Sequence, residues 1–249
     1  MIIVKKESEI EYMRLAGIIV RDTLLKLEES IKPGITTAEL DRIAEEYIIK
    51  CGGKPSFKGY YGFPASICTS INDEVVHGIP STKRYLNEGD ILSVDCGAIL
   101  NGYHGDAART FGVGKISSEA QKLIDVTKES FFKGIEYAKV NNRLTDISSA
   151  IQKYVESHSF SVVRDYVGHG IGRSMHEDPE IPNYGKPGRG AKLTHGMVLA
   201  IEPMVNIGDY SILVEANDWT VITEDGSLSA HYENTVAILN DGPEILTLN

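Results

Sequence analysis

Cysteine is scarce in this sequence, and its cysteines are not spaced like a redox or zinc motif. The chain has 249 residues and three cysteines, Cys51, Cys68 and Cys96, with no C-x-x-C pair. One cysteine is left over after any pairing, so a disulfide framework is not expected. The reducing cytoplasm is the compartment that suits such a chain, and a cytoplasmic location is predicted.

Long apolar runs and an excess of positive charge are also missing. No run reaches the roughly 18 residues needed to cross a bilayer, and residues 1–13 lack the apolar core and cleavage site of a secretory signal. The chain has 25 Lys and Arg against 35 Asp and Glu, a formal charge of −10. Phosphate binding relies on clustered basic side chains, so neither nucleic acid nor a membrane is expected as a partner.

The apolar residues that are present follow a helix, helix, strand order, which occurs twice. No linker-like stretch divides the chain, which predicts a single domain over residues 1–249. Apolar periodicity, breaker residues and β-branched runs give the elements. Helices are predicted over 7–30, 36–50, 118–138 and 145–156, and strands over 66–71, 91–95 and 110–113.

Several short segments of the first half match segments of the second half. A shift of 107 residues superposes the apolar face of the second helix on that of the fourth, and Asp95 on Glu202. Other offsets match His77 with His169, and Asp106 with Glu233. Such matches in one order predict an α+β fold of two related halves, about 1–113 and 114–249. On this pattern alone, His77 would be a second imidazole ligand beside His169.

Two of the matched acids stand where a carboxylate is costly. Asp95 follows the apolar run 91–94, and Glu202 follows the run 197–201. A buried carboxylate is normally protonated or paired with a cation. Each acid alone is compatible with a strand end that reaches solvent or an arginine. Two at matched positions favour one shared cation.

Three further residues complete a hard, mostly oxygen ligand set. Asp106 and Glu233 lie beside the strands that follow, and His169 is flanked by glycines that allow close approach of the backbone. A lone histidine there is more often structural. Four carboxylates with one imidazole suit Mn²⁺, Fe²⁺, Co²⁺ or Zn²⁺. They are too many acids for one zinc ion and suit two ions roughly 3.5 Å apart that activate a shared water.

In these contexts the set resembles the type I methionine aminopeptidases of bacteria. The matching segments are VDCG, GYHGD, GHGIGRSMHE, AIEPM and HYENTVAI, and the resemblance covers essentially the whole chain. It implies the pita-bread α+β fold with two pseudo-symmetric halves around a central metal site. It also implies metal-dependent removal of the initiator methionine from nascent proteins, with a small second residue preferred and a metal-bridged water as the nucleophile.

The resemblance assigns a role to each residue of the centre. It implies that Asp95 binds one metal ion, that His169 and Glu202 bind the other, and that Asp106 and Glu233 bridge both. Glu202 is also the implied general base. His176 is implied to contact the scissile carbonyl, and His77 the scissile amide, which corrects the ligand role that the repeat alone gave His77. The two divalent ions are drawn from Co, Mn, Fe, Zn and Ni.

The remaining implied contacts form a methionine pocket. From composition alone these side chains would be ordinary core. Two depart from commoner patterns: Met175 often corresponds to an aromatic residue or Leu, and Phe57 to a cysteine in some relatives, which affects pocket shape. The implied substrate contacts are Phe57, Tyr60, Phe63, Cys68, His77, Met175, His176 and Trp219.

Further expectations concern ions and partners. Asn72 and Ser229 resemble a family site for sodium or potassium. The expected partners are peptides with N-terminal methionine and, transiently, the ribosome, with a monomer as the default. Two alternatives compete with the aminopeptidase: a proline-specific peptidase of the same fold, and a binding protein of this fold that has lost catalysis.

Overall fold

The first two helices form where apolar periodicity predicts them. In the computed structural model, which describes residues 1–248, α1 spans Glu7–Ser30 and α2 spans Thr37–Lys50. The Thr36 hydroxyl accepts a hydrogen bond from the Glu39 backbone N–H and caps α2. Both predictions are confirmed.

The second pair of helices repeats this arrangement. α3 spans Ser118–Ile135 and α4 spans Leu144–Ser157. The predicted end of α3 at residue 138 is three residues late, because the chain turns there and Tyr137 donates to the Gly134 carbonyl. No helix within residues 1–248 is long and apolar enough to cross a membrane.

Within residues 1–248, fifteen short strands form four antiparallel sheets. β4 is paired with β5 on one edge and with β2 and β1 on the other, and a second sheet has the order β15-β14-β9-β7-β8. Two small sheets, β13-β10-β6 and β11-β12-β3, lie alongside. The strands are β1 Lys54–Pro55, β2 Ile67–Ile71, β3 Glu74–Val76, β4 Ile91–Leu100, β5 Tyr103–Gly112, β6 Ser161–Val162, β7 Gly168–Gly170, β8 Glu177–Ile181, β9 Val198–Ile201, β10 Met204–Asn206, β11 Ile212–Val214, β12 Val221–Thr223, β13 Ser229–His231, β14 Asn234–Leu239 and β15 Gly242–Ile245.

The two larger sheets contain the same three-strand unit, each preceded by a helix pair. The order β2-β4-β5 in one matches β7-β9-β14 in the other. His169 lies on β7, the counterpart of β2, whereas His77 follows β3, so the strand order does not pair these two histidines. The α+β fold prediction is confirmed; the boundary near residue 113 stays a prediction.

The strand predictions are right in place and too short in length. β4 continues past Asp95 to Leu100, and β5 begins at Tyr103 rather than near residue 110. Asp95 and Asp106 therefore lie in mid-strand, which corrects the strand-end position predicted for Asp95. Gly97 and Gly105 are of a residue type common in turns, but the long β4–β5 ladder keeps both of them extended. Gly97 lies directly opposite Asp106.

The two halves meet where β5 runs beside β14. The Asp106 N–H donates to the Thr235 hydroxyl at 2.9 Å, and the same hydroxyl donates back to the Asp106 carbonyl at 2.9 Å. The Glu233 N–H donates to the Ala108 carbonyl at 3.0 Å. These bonds bring the acids of one half against those of the other.

Helix α1 holds β5 in place from behind. A Cβ built on Gly105 would lie 2.9 Å from the backbone nitrogen of Gly17, so the helix backbone touches the strand at this glycine. This contact lies one residue from Asp106. The closeness of α1 therefore sets the position of that carboxylate.

Candidate metal centre and active site

The five predicted metal ligands converge at the seam between the halves. Ligand atoms of Asp106, His169 and Glu233 all lie within 4.8 Å of one another. The His169 Nε2 is 3.6 Å from Glu202 Oε1 and 3.9 Å from Asp106 Oδ2. Asp95 lines the same cavity and contacts Asp106. The structure thus brings together residues from β4, β5, β7 and the ends of β9 and β14.

The four carboxylates share a space with little solvent, and their acidities reflect it. Asp106 and Glu233 are only 2% and 1% exposed. Loss of solvation raises the pKa of Asp95 to about 7 and of Glu202 to about 8. Burial, followed by repulsion from neighbouring carboxylates, also raises the pKa of Asp106 and Glu233 well above the ordinary range. A cation of high charge is the partner that reverses these shifts.

The cluster satisfies the requirements of a divalent metal site. Within residues 1–248, one oxygen each of Asp95, Asp106 and Glu233 is buried with no hydrogen-bond partner. Buried acceptors without donors are rare in folded proteins and indicate a missing partner. Carboxylate oxygens with one imidazole nitrogen form a donor set that first-row divalent ions accept. The residues therefore fit a divalent-metal site.

His169 has the protonation and orientation that a metal ligand needs. Its Nδ1 lies 2.9 Å from the Gly170 carbonyl, to which Nδ1–H donates in the neutral ring. The lone pair is then on Nε2, which faces the carboxylates. Burial lowers the pKa of His169 to about 3, so the ring is neutral near pH 7.

A largely apolar cavity of about 250 Å³ opens directly onto this cluster. Its walls combine aromatic rings, a thioether and a thiol with the five acidic and imidazole groups. Phe63 and Trp219 pack edge to face, with ring centroids 5.1 Å apart. The lining includes every predicted substrate contact: Phe57, Tyr60, Phe63, Cys68, His77, Met175, His176 and Trp219.

Two of these residues, His176 and His77, are histidines with defined surroundings. The Tyr60 hydroxyl lies 2.8 Å from His176 Nδ1, and the His176 ring is 4.2 Å from the His169 ring between centroids. His77 has a φ of 61°, a left-handed conformation that is strained for a histidine and is typical of functional positions. Burial lowers the pKa of His77 to about 4. Both rings face the cavity that contains the acidic cluster.

The structure adds two residues that the sequence prediction missed. Tyr61 lines the cavity mouth, is 85% exposed and has a φ of 47°. His231 is buried, and its Nε2 lies 3.6 Å from Glu202 Oε2. For Tyr61 the sequence signal is the pair of flanking glycines, Gly59 and Gly62, which indicates a turn. For His231 the only signal is that it lies two residues before Glu233, as His104 lies two residues before Asp106.

The proposed monovalent-cation residues are adjacent in space. The Ser229 N–H donates to the Asn72 carbonyl at 2.9 Å, and Asn72 has a φ of 57°. The Asn72 side chain is held by Asp90 and by the Ile91 N–H. The two residues are thus fixed next to each other, and their binding of a monovalent cation stays a prediction.

Fold and site together define a metal-dependent hydrolase with a pita-bread fold. The model of metallopeptidase family M24 matches residues 11–240. A methionine aminopeptidase of Clostridium acetobutylicum is 72% identical over 248 residues, covering 100% of this chain and 99% of that protein. The chain belongs to metallopeptidase family M24, among its methionine aminopeptidases.

Solved structures agree with this membership. The methionine aminopeptidase of Thermotoga maritima has a TM-score of 0.98 at 48% identity, with all of both chains covered. The prolidase of Pyrococcus furiosus has a TM-score of 0.79 at 25% identity, and only 66% of its chain is covered. The fold is therefore shared with proline-specific enzymes, whereas the similarity in sequence is much higher to the methionine-specific ones.

Proposed function

We infer that this chain is a metal-dependent aminopeptidase that hydrolyses the bond after an N-terminal methionine. The observation that carries this is the apolar cavity of about 250 Å³ that ends at the acidic cluster. A methionine side chain is unbranched, apolar and polarizable, and it suits a pocket of aromatic rings with a thiol and a thioether. The scissile bond of a methionine bound there lies next to the carboxylates.

We propose that two divalent ions bind the five acidic and imidazole groups. Asp95 holds one ion, His169 and Glu202 hold the other, and Asp106 and Glu233 contact both. When bound, such ions lower the pKa of a coordinated water and polarise a carbonyl. The ligands accept Co, Mn, Fe, Zn or Ni, and availability in the cell decides among them. Asn72 and Ser229 are proposed to bind sodium or potassium.

Three residues of the cavity act on the reacting groups. Glu202 accepts the proton of the attacking water, because it lines the cavity within the acidic cluster, where bound cations would keep its carboxylate ionised and able to accept a proton. His176 donates a hydrogen bond to the scissile carbonyl oxygen as negative charge develops there. His77 contacts the scissile amide, and its ring lies beside that of Trp219, with centroids 6.5 Å apart.

The substrates are proposed to be nascent proteins that still carry their initiator methionine. A small second residue is preferred, since the peptide must pass between the cavity walls beyond the scissile bond. The working form is proposed to be a cytoplasmic monomer that associates transiently with the ribosome. Three free cysteines are compatible with a reducing compartment.

The reaction is tested by methionine release from Met-Gly-Met-Met, with an Xaa-Pro dipeptide as the competing substrate. The wild-type chain is expected to release methionine and to leave Xaa-Pro intact. Excess EDTA abolishes release, and so do His169→Ala and Glu202→Ala, with the circular dichroism spectrum unchanged. His176→Ala is expected to lower kcat by about 10²–10³, the effect of losing one donor to the oxyanion.

His195→Ala is the matched control, because His195 is exposed and lies outside the cavity lining. It is expected to retain wild-type turnover. Full activity of His169→Ala or Glu202→Ala would contradict the metal assignment. Near-normal kcat for His176→Ala would remove that residue from the mechanism, and cleavage of Xaa-Pro alone would replace the substrate class.

A further inference from the structure

A buried ion pair joins the N-terminal segment to the turn that carries His176. The Lys5 ammonium lies 2.6 Å from Glu177 Oε2, and the two side chains are 3% and 4% exposed. Lys5 Nζ also donates to the Ile3 carbonyl at 3.1 Å, and the Lys5 N–H donates to the Gly196 carbonyl at 2.7 Å. A charge pair so fully desolvated persists only when its geometry is good and its remaining bonds are made.

The same pair is enclosed by the turn itself. A Cβ built on Gly172 would lie 2.5 Å from Lys5 Cε and 2.7 Å from Glu177 Oε1, so the pair packs directly against this glycine. The Ser174 N–H donates to Glu177 Oε1 at 3.2 Å, and the Gly172 N–H donates to the Ser174 carbonyl at 3.1 Å. Glu177 thus ties together the start and the end of residues 172–177.

This turn contains two residues that line the cavity. Met175 is buried against the methionine pocket, and His176 immediately precedes Glu177 in sequence. The side chain of Lys5 does not line the cavity and is absent from the cluster of Asp106, His169 and Glu233. Any effect of Lys5 on the reaction must therefore pass through the turn.

We propose that Lys5 is a positioning residue for His176, acting through Glu177. The inference rests on the proposed function, because it assumes that His176 contacts the scissile carbonyl. Lys5 fixes the Glu177 carboxylate, the carboxylate fixes residues 172–177, and the turn sets the distance from His176 to the substrate. Loss of the ammonium leaves a buried carboxylate without its partner, which then moves toward water and takes the turn with it.

The test is a double-mutant cycle on Met-Gly-Met-Met hydrolysis with Lys5→Met and His176→Ala. Lys5→Met is expected to lower kcat about tenfold to hundredfold, as small misplacements of catalytic groups do. In the His176→Ala background, Lys5→Met is expected to lower kcat less than about twofold. The effects of two substitutions are not additive when one residue acts through the other. Equal losses in both backgrounds would overturn the proposal.

Two readouts separate this role from a general loss of structure or from failure of the proposed function. The His176 imidazole NMR resonances are expected to shift in Lys5→Met and not in Lys6→Met, a control at the neighbouring exposed lysine. Metal affinity by calorimetry is expected to stay within about twofold, since non-contacting sites are roughly additive. Unshifted resonances would overturn the proposal even if the wild type proves inactive on this peptide.

A further variant covers poor folding of Lys5→Met. Lys5→Met/Glu177→Met replaces the pair by apolar side chains of similar volume, which is often tolerated by a buried site. It is expected to fold and to keep the low kcat of Lys5→Met. Wild-type kcat in this variant would show that the ion pair does not position His176.

Discussion

The tautomer of His176 is linked to the hydroxyl of Tyr60. This hydroxyl lies 2.8 Å from His176 Nδ1, and loss of solvation raises the pKa of Tyr60, so the hydroxyl keeps its proton. When that proton is donated to Nδ1, the neutral ring carries its own proton on Nε2. The ring then presents an N–H donor to the cavity. Burial also lowers the pKa of His176, which maintains the neutral form.

Tyr60→Phe removes only this hydroxyl and is expected to lower kcat about three- to tenfold. The reason is that one hydrogen bond of about 0.5–1.5 kcal/mol no longer selects the tautomer. KM for a methionine peptide should change little, because the aromatic ring remains in the pocket. Steady-state kinetics check this, with Tyr137→Phe outside the cavity as the control. A rise in KM with unchanged kcat would instead give Tyr60 a purely binding role.

At this scale the sequence identified residues whose type conflicts with their surroundings. Asp95 and Glu202 stood out because each adjoins an apolar run. Their precise ligand roles came from resemblance, because residue type alone does not say which ion a carboxylate binds. The pair of Lys5 and Glu177 left no local signal, since its members are 172 residues apart. Tyr61 was missed because its strained backbone is a property of the folded loop.

Among the elements, the contact of α1 with β5 has the most direct effect on the site. Gly105 allows the helix backbone to reach the strand, and the next residue along the strand is Asp106. Any larger side chain at position 105 must move the helix, the strand or both. A core this close to the metal ligands resists small increases in volume.

Gly105→Ala is expected to destabilise the protein by about 1–3 kcal/mol, the usual penalty of overpacking. For a chain of this size that lowers Tm by roughly 2–12 °C. Because Asp106 moves with the strand, metal affinity is expected to fall as well. Differential scanning calorimetry and metal titration measure the two effects.

Gly112→Ala on the same strand is the matched control. Its added methyl group meets only the end of the Ile116 side chain, which can shift. A small change in Tm and unchanged metal affinity are expected there. If Gly105→Ala and Gly112→Ala change Tm and metal affinity by the same amounts, the close approach of α1 does not control the position of Asp106.

Helices were more predictable than strands for a physical reason. Local periodicity and caps determine where α1 and α2 begin and end, and both are visible in the sequence. The full lengths of β4 and β5 depend on their pairing with each other, which no local pattern shows. Gly97 and Gly105 lie inside the paired strands, whereas Gly102 forms the turn between them, and the sequence alone does not separate the two cases.

The whole molecule concentrates acidic groups at the seam of its halves, and this links metal content to pH. Above about pH 6.5 the carboxylates of an unfolded chain are ionised, whereas in the metal-free fold Asp95 and Glu202 hold protons up to about pH 7 and 8. The native state therefore binds more protons in this range, and its stability falls as pH rises. The buried histidines oppose this only up to about pH 7.5, because an unfolded imidazole loses its proton around pH 6.5 whereas burial lowers the folded pKa values to about 3–4.

The metal-free protein is thus expected to lose about 1–2 kcal/mol, or roughly 2–8 °C in Tm, between pH 6.5 and 8.5. Addition of a divalent ion should raise Tm and remove this slope, since the ion displaces the protons and binds more tightly as pH rises. Calorimetry with EDTA and with Mn²⁺ gives both curves. A metal-free Tm that rises over this range would contradict the assigned acidities.

The hydrogen bonds between β5 and β14 also determine when the molecule becomes functional. Asp106 and Thr235 are 129 residues apart, and Glu233 is the last of the five proposed ligands in sequence order. Such long-range pairings form late and slowly in folding. A partly synthesised chain has Asp95 and Asp106 but lacks half of the cluster. The protein therefore acquires its complete ion-binding capacity at the final docking step, so metal capture reports the completion of folding.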